Sequence, residues 1–216
     1  MASFDQPYQI IRANEGGYAN HTNDVGGETY AGIARNIWPN WSGWGVIDRR
    51  KLIFVYEPLK TNDILPELED KVREFYLARW NESRAAEINS QAVANIYFDF
   101  YILHSKAVQA MQEVLNASFN AGVTVDNGIG PQTLAAINSV DPDKLHDVYK
   151  AKRIQIHTDQ AERYPSQLVF LQGWLKRANM FPTLTEQGQM VVGGLVIAAL
   201  IVIYLTTQNK RKNETK

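Results

Sequence analysis

Glu15-Gly16-Gly17-Tyr18 closes a short amphipathic stretch, and the fold is read outward from it. In the ten residues before it, Phe4, Tyr8 and Ile11 recur at helical intervals, and Ser3 and Gln6 have the spacing of a capping box. Two consecutive glycines do not sustain a helix, so the helix is expected to stop at or next to Glu15. A carboxylate at a helix end, beside backbone without side chains, is placed to face a cleft and let a bulky ligand approach. Asp24 follows nine residues later and Thr29 fourteen later, across a loop with a second glycine pair, Gly26-Gly27. An acid, a second carboxylate and a hydroxyl form the minimum set for hydrolysing a glycosidic bond with one ordered water. Each residue also has a plainer reading: Glu15 as a solvated charge, Asp24 as a turn former after Asn23, Thr29 as a strand residue with no chemistry.

Beyond the loop, Ile37-Trp38-Pro39-Asn40-Trp41-Ser42-Gly43-Trp44 places three tryptophans at intervals of three. So close to a candidate sugar site, Trp41 and Trp44 read either as platforms for pyranose rings or as core. Pro39 and Gly43 favour a loop here. Asn62 or Asp63 is positioned to cap a helix running to about Arg84, with Leu68, Val72, Phe75 and Tyr76 on its buried face. One long helix is expected from Asn89 or Ser90 to near Phe119. Asp99 lies among its aromatics and reads as a paired structural carboxylate, the favoured reading, or as part of the cleft. Val125 to Pro131 forms a turn that launches a helix with proline at its first position, and Asp141-Pro142 starts another, running to about Arg163. A last soluble helix spans roughly Ser166 to Asn179.

Glu15 to Asn20 and Asp24-Val25-Gly26-Gly27-Glu28-Thr29-Tyr30-Ala31-Gly32-Ile33 resemble the opening of glycoside hydrolase family 108, a family of N-acetylmuramidases. Phe75 to Trp80 resembles its aromatic helix. Phe98-Asp99-Phe100 and Asp126 to Thr133 resemble its C-terminal peptidoglycan-binding segment, and Phe170 to Arg177 its closing helix. The resemblance runs in order over residues 3 to 180. It implies a mainly α, lysozyme-like helical domain with a small irregular or β-hairpin active-site loop. It also implies Glu15 as the catalytic acid, with Asp24 and Thr29 holding or activating water. Gly16, Gly17, Tyr18, Tyr30, Trp41, Trp44 and Asp99 are the substrate-binding candidates. The expected organisation is a catalytic lobe over 1–90, a peptidoglycan-binding segment over 91–182 packed on it, and a linker over 183–189.

Composition narrows the chemistry. The 216 residues hold no cysteine, which removes thiol nucleophiles and Cys-ligated zinc. The four histidines, at 21, 104, 146 and 157, show no metal-ligand spacing, and neither a metal nor a cofactor is expected. A formal net charge of −1 gives no argument for a specific nucleic-acid partner. The expected partner is peptidoglycan. The reaction expected is hydrolysis of the β-1,4 bond between N-acetylmuramic acid and N-acetylglucosamine, by a phage or bacterial lytic enzyme. Carboxyls about 6.5–9.5 Å apart would invert the anomeric carbon and about 5–5.5 Å would retain it; analogy with phage-type lysozymes favours inversion. The alternatives are a lytic transglycosylase giving 1,6-anhydro products, or a non-catalytic wall-binding or virion membrane protein.

Met190 to Leu205 is an unbroken run, apolar apart from Tyr204, and no charge occurs between Glu186 and Lys210. Extended to Thr207 it makes about 27 Å of helix, near the ~30 Å hydrocarbon thickness. Residues 190–207 are therefore expected to be a single C-terminal transmembrane helix in contact with the lipid bilayer, and 208–216 a basic tail able to contact DNA or anionic lipid. The N-terminus has neither the basic start nor the apolar run of a signal peptide. A C-terminal anchor inserted after synthesis leaves residues 1–188 in the cytoplasm, whereas the basic tail prefers that side itself. The host cytoplasmic membrane and the internal membrane of a phage virion are the two locations that follow.

Overall fold

The computed structural model describes residues 1–20 and 26–214, with side chains inside the last helix as far as Thr206. The chain divides into two compact units, one of Ser3–Ser83 and one of Met1–Ala2 with Arg84–Lys216. The described part is mainly helical, with one small antiparallel sheet and an apolar C-terminal helix.

In the first unit, α1 (Asp5–Asn14) ends where the glycine pair demands, and the Glu15 N–H still bonds to the Ile11 carbonyl at 2.9 Å. Ile11, fully buried, fixes the inner face of α1, a burial worth about 1.5–3 kcal/mol. Three two-residue strands follow: β1 (Tyr18–Ala19), β2 (Thr29–Tyr30) and β3 (Ile33–Ala34). They pair antiparallel in that order, with Tyr18 opposite Tyr30 and Tyr30 opposite Ile33. Ala31 (φ 47°) and Gly32 (φ 77°) alone connect β2 to β3. Positive φ at both positions is the hairpin turn whose twist matches its strands. Gly17 has a different reason to be glycine: a Cβ there would stand 2.1 Å from the Asp63 carbonyl oxygen.

That close approach corrects one expectation. Asn62 and Asp63 do not cap a helix; their backbone pairs with Tyr18, through Asn62 N–H to the Tyr18 carbonyl (2.8 Å) and Tyr18 N–H to the Asp63 carbonyl (2.9 Å). Asn62 takes φ 71° to do so. A 3-10 turn at Pro66–Leu68 then leads into α3 (Glu69–Glu82). The tryptophan stretch also differs from the loop expected there. Trp44 opens α2 (Trp44–Ile53), whose buried residues are Trp44 and Ile47. The apolar residues Leu52 and Ile53 face solvent, so no helical stripe announces this helix.

In the second unit, the single helix expected from residue 89 or 90 to 119 is two, α4 (Gln91–Leu103) and α5 (Ala107–Phe119). Ser90 caps α4 as expected, accepting from the Val93 N–H. The break falls at His104, which is extended (φ −148°, ψ 125°), with its Nδ1 accepting from the Lys106 N–H. Asn127 secures the break from outside: its Nδ2 donates to the Ser105 carbonyl and its Oδ1 accepts from Gln109 N–H. Next come α6 (Pro131–Ser139) and α7 (Pro142–Arg163), both opened by proline at the first turn, α7 with Asp141 capping Lys144 N–H at 2.7 Å. α8 (Leu168–Ala178) follows, then α9 (Glu186–Glu214). α7 is the central helix of this unit, packed against α4, α5, α8 and α9.

Candidate active site

Glu15 is half-buried, immediately after the last turn of α1. Arg12, one turn earlier, fastens that end in place. Its guanidinium forms a two-pronged pair with Glu69 at the start of α3 (2.9 and 2.6 Å) and donates to the Glu15 carbonyl (3.0 Å). A planar fork on a carboxylate fixes direction as well as distance.

The side chain of Glu15 converges on the β2–β3 turn. A Cβ on Gly32 would stand 2.6 Å from Glu15 Oε2 and 2.7 Å from the Tyr76 hydroxyl oxygen. Tyr76, buried on α3, donates that hydroxyl to the Ala31 carbonyl at 2.8 Å and so holds the turn. The Ala31 N–H in turn bonds to the Gly17 carbonyl at 3.1 Å. The end of α1, the turn and α3 thus meet at one exposed glycine. A carboxyl group there lies against a phenol and bare backbone.

Of the other expected site residues, Asp24 lies outside the described residues. Thr29 sits on β2 and donates its hydroxyl to the Gly27 carbonyl at 3.1 Å. Gly16 is exposed and Gly17 buried. Tyr18, Tyr30 and Trp44 are buried. The Tyr30 hydroxyl accepts from Leu65 N–H and donates to its carbonyl, while Trp44 Nε1 donates to the Trp38 carbonyl at 2.7 Å. Trp41 is half-buried, stacked on Tyr30 with its Nε1 bonded to the Lys71 carbonyl, and its ring lies across Gly43. This aromatic stack builds the floor under the sheet. Asp99 belongs to the other unit and is fully buried, clasped by Arg153 (2.7 Å) and Arg177 (2.9 Å). Burial lowers the pKa of Arg153, and the Asp99 charge opposes that shift.

The reading from residue patterns missed three features. Tyr76 and Gly32 are the partners of Glu15; the signal for Gly32 was a two-residue gap between strand pairs. Glu28 is nearly buried and paired with Arg35 (2.8 Å) and Lys51, which ties the sheet to α2. Burial works against the Lys51 charge, but Glu28 outweighs it and holds the ammonium above its ordinary pKa. Beside β1 a cleft of about 380 Å³ is lined by Tyr18, Asn20, Lys51, Phe54, Leu59 and Thr61. Val55 and Pro58 complete the lining, and Phe54 stands 43% exposed. In the second unit, the Asp126–Thr133 stretch is knit by buried Gln112, whose amide reaches Asp126, Gly128 and Thr133 and whose oxygen accepts from Asp126 and Asn127 N–H.

Residues 8–104 match the glycosyl hydrolase 108 family model, and residues 106–179 match that of a predicted peptidoglycan domain. The chain joins a segment similar to glycosyl hydrolase 108 to a peptidoglycan-binding segment; it is a glycoside hydrolase, and the two segments together make it a peptidoglycan hydrolase. In fold it is similar to the solved structure of Brucella abortus SagA, with TM-score 0.60 and 21% identity over 88% of this chain and 95% of that one. No curated protein sequence matches the chain.

Proposed function

We propose that the chain is a membrane-anchored N-acetylmuramidase that cleaves the β-1,4 bond between N-acetylmuramic acid and N-acetylglucosamine. The observation that carries this is the meeting of Glu15, the Tyr76 hydroxyl and Gly32 inside the matched glycosidase segment. Glu15 protonates the leaving glycosidic oxygen. Asp24, with Thr29, holds the attacking water on the other face of the sugar. The cleft beside β1 takes a neighbouring sugar, whose apolar C–H face rests on Phe54. The segment 106–179 holds the wall.

The 21 residues Glu186–Thr206 hold an 18-residue window of mean hydropathy 2.3, and the helix is long and apolar enough to cross a bilayer. They form the anchor, in the host cytoplasmic membrane or the internal membrane of a phage virion. Protease protection of a C-terminal tag, in cells and in particles, separates the two.

The test is turbidity loss of purified walls with wild type and Glu15→Gln. Loss of general acid catalysis predicts a fall of about 10²–10⁴; equal rates would remove Glu15 from the mechanism. Mass spectrometry of the products checks the chemistry, because a transglycosylase leaves 1,6-anhydro ends lighter by one water.

A further inference from the structure

We infer that α9 has two mutually exclusive positions, docked along α7 and α8 or inserted in a bilayer, and that the groove on α7 and α8 is the receptor that keeps it out of lipid. This rests on the anchor reading above. In the docked position Val192 and Ala199 are buried, with Leu195, Val196 and Ile203 packed beside them, against Ile154, Ala161, Leu171, Leu175 and Ala178. The opposite face is no more polar: Met190, Val191, Ile197, Ile201 and Tyr204 are all exposed. A helix settled for good on a soluble domain carries a polar outer face; one apolar all round belongs in a core or a membrane. The groove satisfies one side of α9, and lipid satisfies every side.

A polar clamp aims the helix down the groove. Buried Asp147 of α7 accepts from Leu184 N–H (2.9 Å), Thr185 N–H (2.7 Å) and the Thr185 hydroxyl (2.7 Å). Lys150, one turn on, donates to the Phe181 carbonyl (2.6 Å) and the Thr183 hydroxyl (3.2 Å). The Thr185 hydroxyl also accepts from Gly188 N–H at 2.9 Å, so the first turn of α9 and the clamp are one network. Gly188 lies flat on Asp147, where a Cβ would meet Oδ2 at 2.3 Å. Asp147 marks the start of α9, and Ile154 and Ala161, further along α7, face its continuation, so the two helices run side by side in the same direction.

That pairing makes the two positions incompatible. Were α9 to cross a bilayer while docked, α7 would enter the hydrocarbon with it, bringing the Lys152–Glu113 pair and exposed Asp159, Glu162 and Arg163. Ionised side chains at that depth are strongly unfavourable. Insertion therefore requires α9 to swing away from α7, break the clamp and leave the groove open to water.

The chain has no native cysteine, so a thiol placed in the groove reports its occupancy. In full-length Ala161→Cys, and separately in Ile154→Cys, the thiol should react slowly with a water-soluble maleimide. Mixed phosphatidylcholine–phosphatidylglycerol vesicles should raise the rate about tenfold or more, as α9 departs. Asp147→Ala, which leaves α9 untouched, should raise vesicle partitioning about tenfold by removing hydrogen bonds to an ionised group. A thiol that stays protected on vesicle-bound protein would overturn the two-position model while leaving an anchor that lies on the surface. A thiol equally reactive without vesicles would overturn docking. No vesicle binding in any variant would remove the anchor and this inference together, and the wall-lysis assay would still judge Glu15 separately. The second cysteine position and far-UV circular dichroism exclude unfolding as the source of reactivity.

Discussion

Gly32 is where three elements meet, and its substitution tests the site without touching a reacting group. Its φ of 77° disfavours any side chain, and a methyl group would stand 2.6 Å from Glu15 Oε2. Gly32→Ala should therefore push the carboxyl aside, lowering wall lysis by about tenfold or more through misplacement, and cost about 1–3 kcal/mol of stability. Lysis rate and urea midpoint, measured together, check this; a fully active variant would detach Glu15 from the turn. Phe54 lies at the other extreme. It lines the cleft beside β1, 43% exposed and outside the core. Phe54→Ala is expected to raise KM for solubilised glycan a few-fold, about 1 kcal/mol, with kcat unchanged, because it removes binding that ground state and transition state share equally. At this scale the position of Glu15 at the end of α1 was legible in the sequence, since a helix-end carboxylate before two glycines is a local pattern. Tyr76 was legible only as a core aromatic. Its partnership with Gly32 joins residues far apart in the chain, which periodicity cannot see. Tyr18, Tyr30 and Trp44 carried the opposite ambiguity, because aromatic residues near a loop look alike whether they face a sugar or the core.

Among the elements, α7 carries the sharpest pH dependence. His157 is buried, stacked on Trp174 at 5.0 Å between centroids, and neither ring nitrogen has a hydrogen-bond partner among the described residues. Burial first, then the charges of Arg153 and His104, lowers its pKa to about 3. His104 and His146 are lowered too, chiefly by burial. In the unfolded chain these histidines titrate near 6.5. Between that pH and about 3 the unfolded state binds a proton that folded His157 refuses, so stability is full above about 6.5 and lost as pH falls. For His157 alone the loss approaches roughly 3–5 kcal/mol by the bottom of that window. His157→Phe keeps a ring on Trp174 and orphans no partner. Denaturant titrations at pH 7 and pH 4.5 should show the variant losing distinctly less stability than wild type; parallel losses would assign the acid sensitivity elsewhere. The starts of α6 and α7 were readable to the residue from their launching prolines, and α7 also from its Asp141 cap. The α4–α5 break was not, because His104 interrupts a continuous apolar pattern, and its securing bonds come from Asn127 in a distant loop. α2 was missed because its apolar C-terminal end faces water.

At the scale of the whole molecule, the apolar C-terminal run was plain from composition, but its docking was not. An eighteen-residue hydrophobic stretch looks the same in sequence whether it meets lipid or a groove on its own chain. The groove is assembled from Ile154, Ala161, Leu171, Leu175 and Ala178, which two separate helices contribute. This gives a truncation a mixed outcome. Residues 1–185 keep Glu15, the Gly32 turn, the segment 106–179 and the clamp partners Leu184 and Thr185, so their rate on solubilised walls should stay within a few-fold of full length. They lose Val192, Leu195, Val196, Ala199 and Ile203, and with them the cover over the groove. At about 25 cal/mol per Å² of apolar surface, stripping several aliphatic side chains and their facing surfaces costs on the order of 3–8 kcal/mol. The urea midpoint of the second unit should fall, and a dye that fluoresces on apolar surface should bind to the truncated chain and not to the full one. Unchanged stability with full activity would mean that α9 adds nothing to the fold in water. The apolar seam would then have no hold on α9, and the bilayer alone would determine where that helix lies.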